Sequence, residues 1–383
     1  MQYTEYELGE LLPFEQPTAY IVKSTDYSDA YATPVLTAGK SFILGKTNET
    51  DGIFDQLPVI IFDDFTTATQ FVNFRFKVKS SAMKILHINT DLVIPKYIFY
   101  RLQIIQFDHS THKRYWIQSY SKIKVLIPPL DEQFRMVARI EELFSELDKV
   151  VDTLKTTKEQ LAVYRQAVLK DAFDNAQAMC ERFTPIEELL VTDRKGMSTG
   201  PFGTMLKKHE HKTTGVPMLG IENIDSGKFI DGNKIFVTPE KAAELKSFAL
   251  KSGDIIISRS GTVGELCVVP PRMEGALLST NLMRVSLDCQ KVLPEYFIYL
   301  FQSKGIVLDQ VKELCKGSTR IFLNQTILKQ IQFPIPNVHE QLQIINTIES
   351  RLTVCDNIEK TVDTALAQAD AMRQSILKQA FEA

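Results

Sequence analysis

Proline and glycine are missing from two long stretches of this 383-residue chain, residues 130–184 and 338–383. A segment with neither breaker can run as one helix, because nothing removes a backbone donor or loosens a turn. Cysteine is sparse: Cys180, Cys267, Cys289, Cys315 and Cys355 are scattered, with no C-x-x-C pair. That sets aside a disulfide or structural-metal framework and fits idle thiols in a reducing cytoplasm. No apolar run approaches the roughly 20 residues needed to cross a bilayer. The first residues, "MQYTEYELGE", lack the basic start and apolar stretch of a secretory signal. Basic charge is not in excess either, since 44 Lys and Arg face 47 Asp and Glu for a net −3. Any grip on nucleic acid must therefore come from locally concentrated cations. At this length two domains are expected.

Reactive constellations are also lacking. There is no G-x-x-x-x-G-K-[ST] phosphate loop and no [DN]-P-P-[YF] stretch, since "IPPL" and "VPPR" do not fit it. "HEH" at 209–211 and the pair His109 and His112 have metal-like spacing but no third ligand, so they read as surface histidines. Asp63 and Asp64 are adjacent, and neighbours on a strand point to opposite faces, which disfavours a catalytic pair. The nearby "TTAT" (66–69) is better suited to hydrogen bonding. No catalytic centre and no metal site is expected.

What is present is a duplication. "RQAVLKDAF" at 165–173 returns as "RQSILKQAF" at 373–381, and an offset of 208 aligns residues 131–173 with 339–381 without a gap. Fourteen of those 43 pairs are identical, among them Gln133 with Gln341 and Arg165 with Arg373. An offset of 199 further pairs "IPKYIFY" (94–100) with "LPEYFIY" (293–299). One unit is thus written twice.

Each aligned segment reads as a long helix that starts behind proline, at "PPLDEQ" and "PNVHEQ", with an acid early where the helix dipole favours it. A 3-4 seam runs through Val137, Ile140, Phe144, Leu147, Val151, Leu154, Leu161 and Val168. Its twin runs through Ile345, Ile348, Leu352, Cys355, Val362, Leu366, Ala369 and Ile376. Such a narrow stripe is coiled-coil spacing. Forty-odd residues at about 1.5 Å each make a rod of roughly 60 Å. The alternative is two amphipathic helices packed separately on their own domains; equal lengths and matching seams favour pairing with each other.

The stretches before each helix are strand-rich. "FVNFRFKV" alternates, predicting one half-buried strand with Val72, Phe74, Phe76 and Val78 inward and Asn73, Arg75 and Lys77 outward. "GDIIISRSGTVGELCVV" predicts two strands around a turn at Ser260, Gly261 and Gly264, and "STNLMRVSL" another strand. These heads differ strongly in sequence while the helices agree. Basic residues collect in both just before the helix: no acid lies between His109 and Leu130, where "HKRYWIQSYSK" falls, and the second head has "GTMLKKHEHKTTG" (203–215) and "CKGSTRIF" (315–322). Cations with hydroxyls and aromatics beside glycine suit phosphate grip and base-edge contact; each run alone is more often a solvated surface, and recurrence at the same point of both units favours the functional reading.

Taken in order, "PVLTAGKSFILG", "HKRYW", "IPPLDEQ", "GVPMLGIENI", "GDIIISRSGTVG", "KGSTRIFLNQ" and "IPNVHEQ" resemble the specificity subunits of type I restriction–modification systems over essentially the whole chain. The resemblance implies an α+β fold: two β-rich target-recognition domains separated by two long helices forming an antiparallel coiled coil, a pseudo-two-fold tandem repeat. The expected segments are residues 1–127 and 175–335 for the two recognition domains, and 128–174 and 336–383 for the spacer helices. Each domain would read one half of a split double-stranded DNA site. The resemblance implies two modification subunits carrying S-adenosylmethionine for adenine methylation and two restriction subunits carrying an ATP-driven motor and nuclease. This chain itself would be a cytoplasmic, non-catalytic recognition subunit without a bound cofactor. By position, it implies DNA contacts from Lys40, Ser41, Thr66, Thr67, Thr69, Lys113, Arg114, Tyr115 and Trp116 in the first head. In the second head it implies Lys207, Lys208, Ser258, Arg259, Ser260, Thr262, Lys316, Ser318, Thr319 and Arg320. The helices and their proline starts would hold the modification subunits, with "NVHEQ" departing from "PLDEQ" at the second. The rival readings are a coiled-coil adaptor whose heads bind protein, and a self-contained nuclease or methyltransferase.

Overall fold

Short apolar runs bounded by turns set up two strand-rich heads, each completed by helix. The computed structural model describes residues 3–37, 41–107, 114–180, 182–202, 205–259, 263–303, 305–315 and 322–382. The chain divides into two units, one of residues 1–155 with 363–383, the other of residues 156–362. The division cuts through both long helices, because each head packs on the start of the helix that follows it and on the end of the other.

In the first unit a four-stranded antiparallel sheet runs Phe14–Glu15, Met83–His87, Val59–Asp63, Thr69–Val72. A three-stranded sheet runs Ile43–Thr47, Thr33–Leu36, Lys77–Val78, its last pair parallel. Thr4–Glu7 pairs with Lys124–Ile127. The run 71–78 is thus two short strands in two sheets and not one. Val72, Phe76 and Val78 do point inward, but so does Lys77, which is 1 % exposed. Its ammonium pairs with Glu49 at 2.9 Å and donates to the carbonyl of Asp51. Glu49 also accepts the amides of Lys23 and Ser24. Hydrogen bonding from Lys77, followed by these amides, holds the Glu49 carboxyl down at about 2.

The second unit repeats the plan strand for strand. Its four-stranded sheet runs Met197–Thr199, Leu282–Val285, Ile255–Ser258, Leu266–Val268. Its three-stranded sheet runs Ile235–Val237, Val216–Leu219, Leu277–Leu278, again with a parallel last pair. Phe183–Pro185 pairs with Gln332–Pro334. Its added strands form a hairpin, Ile224–Asp225 with Lys228–Phe229, in the connection between Val216–Leu219 and Ile235–Val237, and the helices Pro239–Glu244 and Ile306–Leu314 have no counterpart among the described residues of the first unit. Heads unlike in sequence therefore share one topology.

The long helices are Leu130–Met179 and Val338–Glu382, the first reaching five residues beyond the expected 174. Acids in the first turn, Asp131 and Glu132, suit the dipole of the first helix. At the second, Asn337 accepts the amide of Glu340 at 3.0 Å and Glu340 accepts the amide of Asn337 at 3.1 Å. This capping box does the work that "PLDEQ" does in the other copy. All sixteen predicted seam residues are buried or half-buried. Within the first unit Val137, Ile140 and Phe144 share a core with Leu377, Ala380 and Phe381. Within the second, Leu169, Phe173 and Ala176 share a core with Ile345, Ile348 and Leu352.

The pairing is antiparallel in each unit. In the second, Lys158 meets Glu359, Arg165 meets Asp356 at 2.6 Å, and Asp171 meets Arg351 at 3.3 Å, so one number rises as the other falls. In the first, Arg373 pairs with Asp148. Subtracting the repeat offset of 208 from Arg373 and adding it to Asp148 returns Arg165 and Asp356. Each unit thus makes the same bond with the helices' roles exchanged, as a pseudo-two-fold repeat requires. The alternative of helices packed only on their own heads is set aside.

A glutamine locks each head to its helix. Gln133 and Gln341 are fully buried. The Gln133 carboxamide accepts the amide of Ile94 at 2.8 Å and donates to the carbonyls of Leu92 and Pro128. Gln341 accepts from Leu293 at 2.8 Å and donates to Lys291 and Pro336. Every partner is related by the two repeat offsets.

Candidate nucleic-acid interface

In the first head the turn after Val59–Asp63 is closed by Asp63, whose carboxylate accepts the amide of Phe65 at 2.9 Å while its carbonyl accepts that of Thr67 at 2.9 Å. Thr67 takes a positive φ of 58°. The turn presents Phe65, half exposed, and Thr66, exposed, with Thr67 and Thr69 partly covered. Asp64 ties this turn to the "KRYW" stretch: its carbonyl accepts the amide of Tyr115 at 3.0 Å and its carboxylate that of Trp116 at 2.8 Å. Beside it lies the buried ammonium of Lys84, 3.3 Å away. Two sequence-distant segments are so brought together, with Arg114 exposed beside them. Asp63 and Asp64 serve this scaffold.

Tyr115 and Trp116 do not face outward, which corrects their assignment to DNA. They are 3 % and 0 % exposed, and Trp116 packs against Phe62 and Tyr120 with ring centroids 4.9 and 5.9 Å away. The reason is their place on a one-turn helix, Tyr115–Gln118, whose inner face closes the core above the central strand. Ser41 is exposed; Lys40 and Lys113 lie outside the described residues.

The second head joins the corresponding places. The carbonyl of Arg259, just past Ile255–Ser258, accepts the amide of Leu323 at 3.1 Å. Ser258 and Arg259 are buried, so neither is a free contact of the kind expected. Arg259 donates to the carbonyls of Thr280 at 3.2 Å and Leu323 at 3.4 Å. Its guanidinium lies 4.8 Å from the ring of Phe322 and 5.5 Å from that of Phe202. Burial pushes its pKa down, and the ring faces offset part of the lost hydration. Phe202 is set there by Gly200, where an added Cβ would lie 2.0 Å from the carbonyl oxygen of Ser279, and by the Thr280 hydroxyl donating to Pro201 at 2.8 Å. Gly264, at φ +87°, closes the turn by donating its amide to Ser258.

Lys207 and Lys208 are exposed. Glu210 between the two histidines is held below the usual carboxylate range, first by the Lys207 amide and then by Lys241. Among the described residues no group of three or more His, Cys, Asp or Glu could hold a metal. Ser260, Thr262, Lys316, Ser318, Thr319 and Arg320 lie outside the described residues. The residues that sequence reasoning missed are Phe65, Phe202 and Phe322, which are 50 %, 50 % and 38 % exposed. Their signal was weak: each is an aromatic beside a glycine-, threonine- or lysine-rich run, and that adjacency does not tell core from surface. On a duplex, exposed rings can make apolar contact with base edges in a groove, such as the thymine methyl, while cations hold phosphates.

Duplicated strand-rich heads on paired long helices also occur in solved structures. The fold matches a chain from a structure described as the basis of complex assembly and conformational transition of the type I R-M system, at TM-score 0.66 and 16 % identity over 99 % of this chain and 97 % of that one. It matches the HsdS subunit of Thermoanaerobacter tengcongensis at TM-score 0.51 and 15 % identity, over 99 % and 96 %. The family described as type I restriction modification DNA specificity domain matches residues 202–368. The chain is 31 % identical over 367 residues to the EcoR124I/EcoR124II specificity subunit of Escherichia coli, covering 92 % of this chain and 87 % of that protein. With the EcoKI specificity subunit of E. coli K12 it shares 27 % over 285 residues, 69 % of this chain and 58 % of the other. The chain belongs to the type I restriction enzyme specificity subunits, and its role is DNA target recognition as a non-catalytic component working with other subunits of the system. No support for the protein-adaptor reading arises from these relatives.

Proposed function

We propose that each head reads one half of a split DNA target, and that the paired helices hold the reading heads at a set spacing and dock two modification subunits. The observation that carries this is the repeated plan: three sheets of the same topology in each head and reciprocal helix bonds, combined with loops that differ in sequence at equivalent places. A common support carrying unlike surfaces suits an asymmetric bipartite site, because duplex faces recur about every 34 Å. Joined weak readers also gain effective concentration. Ser41, Phe65, Thr66, Thr67, Thr69 and Arg114 in the first head, and Phe202, Phe322, Lys207 and Lys208 in the second, are the described residues offered to DNA. S-adenosylmethionine and ATP would belong to the modification and to two restriction subunits, and the assembly would work in the cytoplasm. No helix among the described residues is long and apolar enough to cross a membrane.

Adenine-methylation mapping in cells with and without the chain tests the reading. The expected outcome is one methylated split motif that disappears on deletion; methylation unchanged in a host with the modification subunit would overturn it.

A further inference from the structure

The second unit contains an open groove of about 730 Å³ between its helix pair and the helix Pro294–Gln302. Its counterpart in the first unit can be read through the repeat, which supplies a built-in comparison. Seven lining residues are identical there: Tyr299, Gln302, Glu349, Asp356, Arg165, Gln166 and Leu169 correspond to Tyr100, Gln103, Glu141, Asp148, Arg373, Gln374 and Leu377. Among the helix positions that the two offsets pair, five differ: Lys96 becomes Glu295, Phe99 becomes Ile298, Leu102 becomes Phe301, Phe144 becomes Leu352 and Ser145 becomes Thr353.

From the first unit to the second, these changes remove a cation and the rings of Phe99 and Phe144, while Phe301 adds a ring on the floor. In the first unit Lys96 is bonded to Glu141, the Phe144 ring covers the Arg373 guanidinium at 5.0 Å and stands edge-on to Tyr100 at 5.6 Å, and Phe99 packs on Phe71 at 5.6 Å. In the second, an acid replaces the lysine, so among the described residues neither Glu295 nor Glu349 is salt-bridged. Tyr299 lies in the field of both: burial first, then Glu349 and Glu295, push its hydroxyl up to about 12. Arg165 is already committed to Asp356 and Glu359, leaving Lys228 as the other cation on the rim, against Asp225, Glu265, Glu295 and Glu349. The floor is apolar, with Leu169, Ile298 and Phe301.

The geometry points to this groove as a docking site for a partner protein's segment that carries a lysine or arginine next to an aromatic or large aliphatic side chain, the partner being a modification subunit. The first unit shows the complement the lining accepts, because there the chain itself provides the ammonium and the rings. Acidic lining repels phosphate, which excludes DNA as the occupant. The two docking surfaces of this pseudo-symmetric chain are therefore unequal: the first is completed internally and the second from outside. This rests on the reading that modification subunits dock on the chain.

The test is titration of the cognate modification subunit onto the full chain, comparing wild type with Glu295→Lys, which recreates the internal pair with Glu349, and with Glu295→Gln. One of two binding steps is expected to weaken about tenfold or more in Glu295→Lys and less in Glu295→Gln, with the melting temperature unchanged or higher. Should Glu295→Lys fail to fold, the Glu295→Gln titration decides. Wild-type affinity at both steps in a folded variant would overturn the docking site while leaving the methylation reading intact. One-site binding of spermidine with subunit affinity unaltered would also overturn it, by assigning the groove to a small cation. Failure of the subunit to bind the wild-type chain would overturn both readings.

Discussion

At the residue scale, burial separates two kinds of polar side chain that look alike in the sequence. Gln133 and Gln341 are helix-start polar residues by position, yet each lies fully buried and serves three backbone groups. Replacing Gln133 with Ala strands the Ile94 amide and the Leu92 and Pro128 carbonyls. At about 1–3 kcal/mol per buried group left unsatisfied, the expected loss is at least about 2 kcal/mol. Gln341→Ala should cost a similar amount, since its partners are equivalent. Urea unfolding of both variants measures it, and a loss under about 0.5 kcal/mol in either would rule out the clamp. The same distinction defeats residue-level reading of "KRYW". Arg114 and Trp116 are two positions apart, but one is exposed and the other sits under Phe62 and Tyr120. Sequence adjacency of basic and aromatic residues cannot say which side of a one-turn helix faces the core.

At the element scale, long helices were readable and short strands only partly so. A helix of 45 or 50 residues repeats its seam many times, so its pattern survives single exceptions such as Arg165. Strands of two to five residues offer one or two alternations, which is why 71–78 read as a single strand although it crosses between two sheets. The Lys77–Glu49 pair fastens that crossing to the connection behind Ile43–Thr47, and it makes the first head acid-sensitive. Glu49 sits at about 2 in the folded chain against an ordinary 4.5. A lowered folded value stabilises above the unfolded value and loses that contribution as pH falls from 4.5 through 2. Stability of the first unit is expected to decline over that window, and Glu49→Gln should flatten the slope. The single tryptophan, Trp116, lies in this unit's core, so its fluorescence reports the unfolding directly. A slope equal to wild type in Glu49→Gln would show that the pair contributes nothing.

At the scale of the whole molecule, the duplication has diverged unevenly. The helices keep fourteen identities in 43 pairs, whereas the heads keep their topology with little sequence in common outside 94–100 and 293–299. That pattern follows from what each must match. A paired helix meets its own twin, so a change at one seam position is felt by the other copy; a head needs only to close its own sheets. If the helices set the reach between half-sites, one heptad added to both, near Lys155 and Val362, preserves the 3.5-residue seam and lengthens the support by about 10 Å. The methylated motif is then expected to gain about three base pairs of spacer, at about 3.4 Å each, with unchanged half-sites. Unaltered spacing in a folded, active variant would refute the ruler.

By itself the sequence determined the doubling, the helix seams, the absence of a recognisable reactive constellation and the family resemblance, because these are carried by periodicity and order along the chain. Only the tertiary structure decided that the two heads share one strand plan, that Tyr115, Trp116, Ser258 and Arg259 are interior, and that Phe65, Phe202 and Phe322 are outside. It alone placed Glu295 over a groove that Lys96 completes in the other copy. The physical reason is common to all of these. Which face of a short element meets the core depends on partners distant in sequence, such as Asp64 with Trp116 or Arg259 with Leu323, and no local pattern encodes that meeting.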